Sequence, residues 1–412
     1  MISRTSIVGG RSSAVWLLLV ALFWVGCEVL QVGRPLALDE GAWTTEGGSA
    51  ARTFEAEGEL ALPLEEKWVY NAEGAFGPAA ALVAEGQLFV ATRQGEVRSL
   101  DLAEERTFTG QTDLGDAIDG APVLTDRLLI APISAGGDGV VAYDIVRGRI
   151  AWKLDAEPHA AGLLRVGDTL VAASLLGTIR ALDVRTGAVQ WELASDSVQA
   201  VHASPVLLDA ATVAVVDDQG RISAHSLTDG SPRWTADLEV PVYATPAVAD
   251  GLLLVPTTRG QFVALDAATG QRRWTYAAAT PTTRLTSPAT DRRTLFVGTS
   301  DGTIAALDVQ TGDVRWTHTE DGVIAAAPHL AGDVLFVGSL RKRVFALDAA
   351  TGTVRWQTEI GGRVKTAPLV AGGYLVVMAE PRQVYLFGPP VSDAIVDASV
   401  VDASAVDSLA AR

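Results

Sequence analysis

Seven tryptophans recur along this chain at an almost constant step, and that period limits the possible folds more than any other feature. Trp68, Trp152, Trp191, Trp234, Trp274, Trp316 and Trp356 each close a similar stretch, and after Trp152 the steps are 39, 43, 40, 42 and 40 residues. The interval from Trp68 to Trp152 is 84, two periods, and Phe108 stands 40 residues into it where an aromatic is missing. A proline after a small residue recurs in the same phase, at Gly77-Pro78, Ala121-Pro122, Ser204-Pro205, Thr245-Pro246, Ser287-Pro288, Ala327-Pro328 and Ala367-Pro368, with Ala160-Ala161 in the eighth place. Two markers with one phase and one count of eight identify a repeat architecture.

Within a copy the text is strand-like: an apolar run at residues 251–256, a turn at Gly260, a second run at 261–265, a turn at 268–270 and then Trp274. Helical periodicity is nowhere sustained. Units of roughly 40 residues with four short strands and glycine turns are propeller blades. The predicted fold is therefore all-β, an eight-bladed β-propeller of four-stranded blades over residues 58–390. Runs such as 294–298 and 334–338 suit strands covered on both faces by neighbouring blades. Trp68 precedes the first complete unit, while the last unit ends at Tyr385, Leu386 and Phe387 without a tryptophan. The strand around residues 67–70 should then complete the last blade and close the ring, which hides two sheet edges.

The blade endings share a motif: Asp183, Gly187 and Trp191; Asp266, Gly270 and Trp274; Asp308, Gly312 and Trp316; Asp348, Gly352 and Trp356. Asp144, Gly148 and Trp152 fit with Arg147 in place of the usual Thr, Gly230 and Trp234 follow Ser226 instead of Asp, and the unit at Asp101 lacks the glycine and ends in Phe108. The physical reading is structural. An indole fills a gap between blades and donates its N–H to a backbone carbonyl, Asp accepts turn N–H groups, and Gly tolerates positive φ. These endings resemble the tryptophan-docking motif of the pyrroloquinoline-quinone (PQQ) repeat family over about residues 60–388. That resemblance implies the propeller and two functional classes: quinoprotein dehydrogenases, with the quinone and Ca²⁺ on the propeller axis, and protein-binding lipoproteins of the BamB type.

The N-terminus places Arg4 and Arg11 before an apolar run at 14–25, then Gly26 and Cys27. Twelve apolar residues are too few to span a bilayer, which takes about 20. Residues 1–26 read as a cleaved signal peptide, and the segment resembles a bacterial lipoprotein signal, which implies lipid on Cys27, although Trp24 stands where that family usually has Leu. Residues 27–57 read as a lipid-attached acidic flexible linker, and 391–412, with Asp393, Asp397, Asp402 and Asp407, as a disordered acidic low-complexity tail. The expected place is the cell envelope, lipid-anchored and facing the periplasm from the outer membrane.

Formal charge is −17, which disfavours nucleic acid and, globally, anionic lipid. Cys27 is the only cysteine, so no disulfide forms within the chain, including the adjacent-cysteine pair that the quinoprotein alcohol dehydrogenases typically place against their cofactor. His159, His202, His225, His318 and His329 are scattered without metal-ligand spacing. Asp113, Asp116 and Asp119 lack the pattern of a calcium loop, and no nucleophile, phosphate-loop or zinc-protease motif is present. No catalytic residue, cofactor or metal is expected. Arg341, Lys342 and Arg343, at a hairpin tip where a glycine turn belongs, are partner-contact candidates. The expected function is a non-enzymatic scaffold for protein partners, the outer-membrane barrel assembly machinery or its clients. The alternative is a propeller whose funnel senses a small molecule or glycan; a quinoprotein dehydrogenase comes last.

Overall fold

The computed structural model describes residues 29–39, 41–56, 58–103, 108–194 and 199–390. The expected signal segment, Cys27 and the tail lie outside these. Strands alternate through the chain with glycine turns between them, and the described strands form eight sheets, antiparallel but for one short added strand. Blade 5 is typical: Ala247–Ala249, Leu252–Pro256, Gln261–Asp266 and Arg272–Ala277 pair in sequence order from the axis outward. The second and third strands are buried along nearly their whole length, while the outermost is exposed at every other residue. Apolar runs fill the space between blades, as where Val123, Leu128 and Trp152 of blade 2 meet Leu170, Leu182 and Val184 of blade 3.

The ring closes as the sequence predicts. Blade 8 contains Leu369–Ala371, Tyr374–Glu380 and Gln383–Gly388, and Glu65–Asn71 from the start of the chain is its outermost strand. Trp68 lies opposite Leu386 and Tyr70 opposite Val384.

Each docking tryptophan reaches from its own blade to the turn of the next. Trp152 Nε1 donates to Val184 O at 3.0 Å, Trp191 to Leu227 O, Trp234 to Ala267 O, Trp274 to Val309 O and Trp316 to Ala349 O. Gly187 turns with φ +72 and lies flat under the Trp152 ring, where a Cβ would come within 2.6 Å. Glycine is thus required there by contact as well as by φ. Asp183 Oδ1 accepts the N–H groups of Arg185 and Thr186 and the Thr186 hydroxyl, and Asp266 and Asp348 repeat the arrangement. Trp356 donates to Leu64 O, because the turn of blade 8 is split by the ring closure.

Phe108 is not a docking aromatic. Trp152 pairs with Ala142 and Trp191 with Ala181, but Phe108 pairs with Leu100, and the residue at the tryptophan's register is Gly110, opposite Ser99. Phe108 stacks instead on Tyr70 of blade 8, with centroids 6.4 Å apart. The place of the missing indole is taken by the N-terminal segment. A Cβ on Gly110 would lie 2.7 Å from Leu30 Cα, Leu30 is fully buried, and its N–H bonds Gln111 O at 2.9 Å. The N–H of Val32 then reaches Ile145 O at 2.7 Å, the carbonyl an indole would otherwise meet.

The segment expected to be a flexible linker is therefore packed. From Leu30 it runs inward, bonding Asp126 O through Leu36 N–H, to the axis. Its composition lacks a period because it pairs one backbone group at a time with many strands.

Replacing Trp191 by Ala should lower the urea unfolding free energy by about 3–5 kcal/mol. Deleting residues 58–72 should lower the thermal midpoint of the whole ring, and an unchanged midpoint would refute the closure.

Candidate functional site

The strands of the eight blades converge on an axis that this chain closes at one end with its own residues. Residues 41–56 circle that end as a plug. Trp43 exchanges both backbone bonds with Val83 of blade 1, and Thr44, Ala50, Ala51, Thr53 and Phe54 offer carbonyls to Leu124, Leu207, Val248, Thr290 and Leu330 on blades 2, 4, 5, 6 and 7. Glu55–Ala56 adds a short parallel strand to the inner edge of blade 7. Blade 3 is reached by Arg52, whose guanidinium donates to Leu163 O at 2.7 Å, Pro205 O of blade 4 at 3.3 Å, and Thr45 Oγ1 and Glu46 O at 2.8 Å each. Arg52 is fully buried; burial pulls its pKa below the usual guanidinium range, and the Glu46 carboxylate opposes that fall. Arg52 and Phe54 hold left-handed backbone, at φ +58 and +49, a conformation that costs non-glycine residues about 1–2 kcal/mol and persists where neighbours over-determine it.

From the other face a funnel descends to the plug, with a cavity volume of about 260 Å³. At its floor Glu46 accepts hydrogen bonds from Ser204 Oγ at 2.5 Å and Thr245 Oγ1 at 3.0 Å. Its wall includes His202, Tyr243, Arg284 and Lys365. His202 Nδ1 lies 2.9 Å from the Asp218 carboxylate, and its ring meets Tyr243 edge-on. These groups can orient a small polar molecule or a peptide side chain.

The other histidines are apart from the funnel's polar wall. His329 is buried beside Trp43, ring centroids 4.8 Å apart; its Nε2 accepts the Val370 N–H, its Nδ1 has no partner among the described residues, and burial pushes its pKa down to about 3. His159 is buried and pushed down to about 4. His225 bonds Gly230 O and His318 packs on Phe345. Asp119 pairs with Arg93 at 2.9 Å. Among the described residues no group of His, Cys, Asp or Glu is arranged to hold a metal.

Arg341, Lys342 and Arg343 turn at a tip on the funnel face. Lys342 has φ +64 where the equivalent Gly260 has φ +68, Arg343 pairs with Glu320, and Arg341 lies 3.6 Å from Asp321. Sequence reasoning missed Glu46, Arg52 and the plug. Their signal in the sequence was Arg52 and two aromatics, Trp43 and Phe54, inside a stretch of otherwise small and polar residues.

The family model described as outer membrane protein assembly factor BamB matches residues 65–194, 175–322 and 319–388. Curated relatives bearing that name include one from Bordetella pertussis, 27% identical over 180 residues (42% of this chain, 45% of the relative), and one from Yersinia pestis, 28% identical over 215 residues (45% and 53%). The match thus spans about half the length of these relatives. Among solved structures, BamB from Moraxella catarrhalis superposes with a TM-score of 0.65 at 22% identity, covering 79% of this chain and 100% of that one. A quinohemoprotein alcohol dehydrogenase from Pseudomonas putida HK5 does so at 0.73 and 13%, covering 85% and 80%. At these identities the superpositions speak for the fold alone.

Replacing Arg52 by Met should cost about 3–5 kcal/mol in urea unfolding, because Glu46 and several carbonyls lose their buried partner. His329 is neutral in the folded chain and takes up a proton only on unfolding, so stability falls as pH drops from about 6.5 towards 3, by up to about 1.4 kcal/mol per pH unit. His329→Gln keeps an acceptor for Val370 and should flatten the loss of unfolding free energy measured between pH 7 and 4; an unaltered slope would show that His329 titrates normally.

Proposed function

The chain belongs to the family of the outer membrane protein assembly factor BamB, and from that premise we propose that it is a non-catalytic lipoprotein scaffold in the periplasm. It is held to the outer membrane by lipid on Cys27 and works as a monomeric propeller within a complex. Its partners are proteins, the barrel assembly machinery or the clients of that machinery. Rigid loops and open outer strands can hold extended segments by backbone pairing, which needs no catalytic group.

The observation that carries this reading is the plug. The resemblance to quinoproteins places a planar cofactor on the axis, but residues 41–56 fill one end of it with Arg52 and Glu46 already bonded to each other's surroundings. The chain's own residues thus occupy that end, and Cys27 has no second cysteine to pair with. A second reading, capture of a small molecule or glycan, is favoured by the funnel over Glu46, with His202, Tyr243, Arg284 and Lys365 on its wall; its signature is a ligand-dependent rise in thermal midpoint.

Crosslinking in intact cells, affinity purification of the tagged chain and mass spectrometry of what accompanies it test the scaffold. Recovery of barrel-assembly proteins at loop crosslinks is the expected result. Their absence from an abundant, membrane-bound chain removes the assembly reading and leaves the funnel reading in front.

The Arg341 to Arg343 tip is proposed as a partner contact. Lys342 holds left-handed backbone where glycine would relieve it, so Lys342→Gly should raise the unfolding free energy by about 1 kcal/mol while reducing crosslinks at this tip. Undiminished crosslinks would take the tip out of the contact.

A further inference from the structure

On a chain of formal charge −17, one hollow gathers five arginines. It lies between blades 2 and 3, on the plug side of the ring, and Arg127, Arg147, Arg149, Arg165 and Arg185 line it together with Asp126, Asp144 and Asp168. Asp144 is buried, with Arg127 at 3.3 Å and Arg147 at 3.7 Å from its carboxylate. Arg149 and Arg185 are exposed. Arg147 stands where most blades have the motif threonine, so part of this charge comes from a departure in the repeat. Exposed Ile150 sits among the arginines.

The N-terminal strap, residues 29–39, fixes where this hollow faces. Gln31 donates to Val146 O at 3.1 Å, and Val29 and Gln31 pack on Gly148 of the same blade turn. Cys27 precedes Val29 by two residues, a span of at most about 7 Å. A lipid there cannot let the propeller drift away on a long tether; it holds the blade 1–2 edge, with the arginine hollow one blade further round, against the headgroups. Repulsion by the rest of the acidic surface is screened beyond about 8 Å at physiological salt, so the charge next to the bilayer decides the contact.

We propose that this hollow is a membrane-contact surface that takes the phosphate groups of anionic phospholipids and sets the propeller at a fixed attitude, plug side toward the bilayer and funnel face away from it. The proposal rests on lipid at Cys27. With that cysteine acylated, an introduced cysteine is the only free thiol. Lipidated full-length chain carrying Ala151→Cys in the hollow, or Gln219→Cys on the funnel face, is labelled with a fluorophore. It is then reconstituted in vesicles of phosphatidylethanolamine and phosphatidylglycerol that hold a headgroup-attached quencher.

The expected result is strong quenching at residue 151, little at 219, and loss of the difference in phosphatidylcholine vesicles or at high salt. Changing Arg147, Arg149 and Arg185 to Gln should shift the equilibrium away from close contact by about 100-fold, at roughly 5-fold per charge near an anionic surface. The same change at Arg233, Arg272 and Arg273 on blades 4 and 5 should leave it unmoved. Anchored protein with equal quenching at both labels, or with quenching indifferent to the first triple change, overturns the surface. A chain that does not stay with vesicles overturns the lipid reading and the proposal with it, and mass spectrometry of the N-terminal peptide tells that failure from the former.

Discussion

Everything in this ring depends on how one blade grips the next. A four-stranded blade buries little by itself, since both faces of its middle strands are apolar and need a neighbour. The docking indole supplies the grip at the rim: a large ring seated on a glycine turn, its N–H satisfied by the carbonyl just after the turn's first residue, Asp or, at Leu227, Ser226. Because donor and acceptor sit in different blades, each such bond fixes the spacing and tilt of a pair. That pair recurs at six of the eight joints of the ring.

The plug uses the same economy at the axis. Innermost strands of a propeller present N–H groups with no further strand to pair with, and buried N–H groups rarely go unpartnered. On blades 1, 2, 4, 5, 6 and 7 residues 41–56 answer them one by one with single carbonyls. Arg52 provides several donors from one side chain where the backbone cannot reach both blades 3 and 4. A binding role for the funnel is then confined to the opposite face, and Glu46 marks its floor.

The period of tryptophans and small-Pro pairs made the blade count, the strand content and the closing strand legible, since all three follow from local spacing. The plug and strap were not, because segments that pair residue by residue with many different blades need no hydrophobic period of their own. Phe108 misled for a related reason. Spacing from Trp68 and Trp152 points to residue 110, midway between them, yet Gly110 carries no side chain to notice; its meaning appears only with Leu30 lying across it. Lipid on Cys27 rests on the signal motif and stays a proposal.

These irregularities fall in one sector. Blade 8 is completed by a strand from the other end of the chain, Trp68 reaches blade 1 with its Nε1 unpartnered among the described residues, and blade 1 offers Gly110 instead of an indole to blade 2. Two successive joints thus lack the regular grip, one on each side of blade 1, and the first of them adjoins the blade that the strand from the start of the chain completes. A ring opens where its joints are weakest, and the chain lays its strap across one of these and anchors its plug on both sides of them, at Leu124 of blade 2 and Leu330 of blade 7. The N-terminal segment that would tie the protein to a membrane is therefore also what holds the seam shut, so pulling on the anchor loads the part of the ring least able to close by itself.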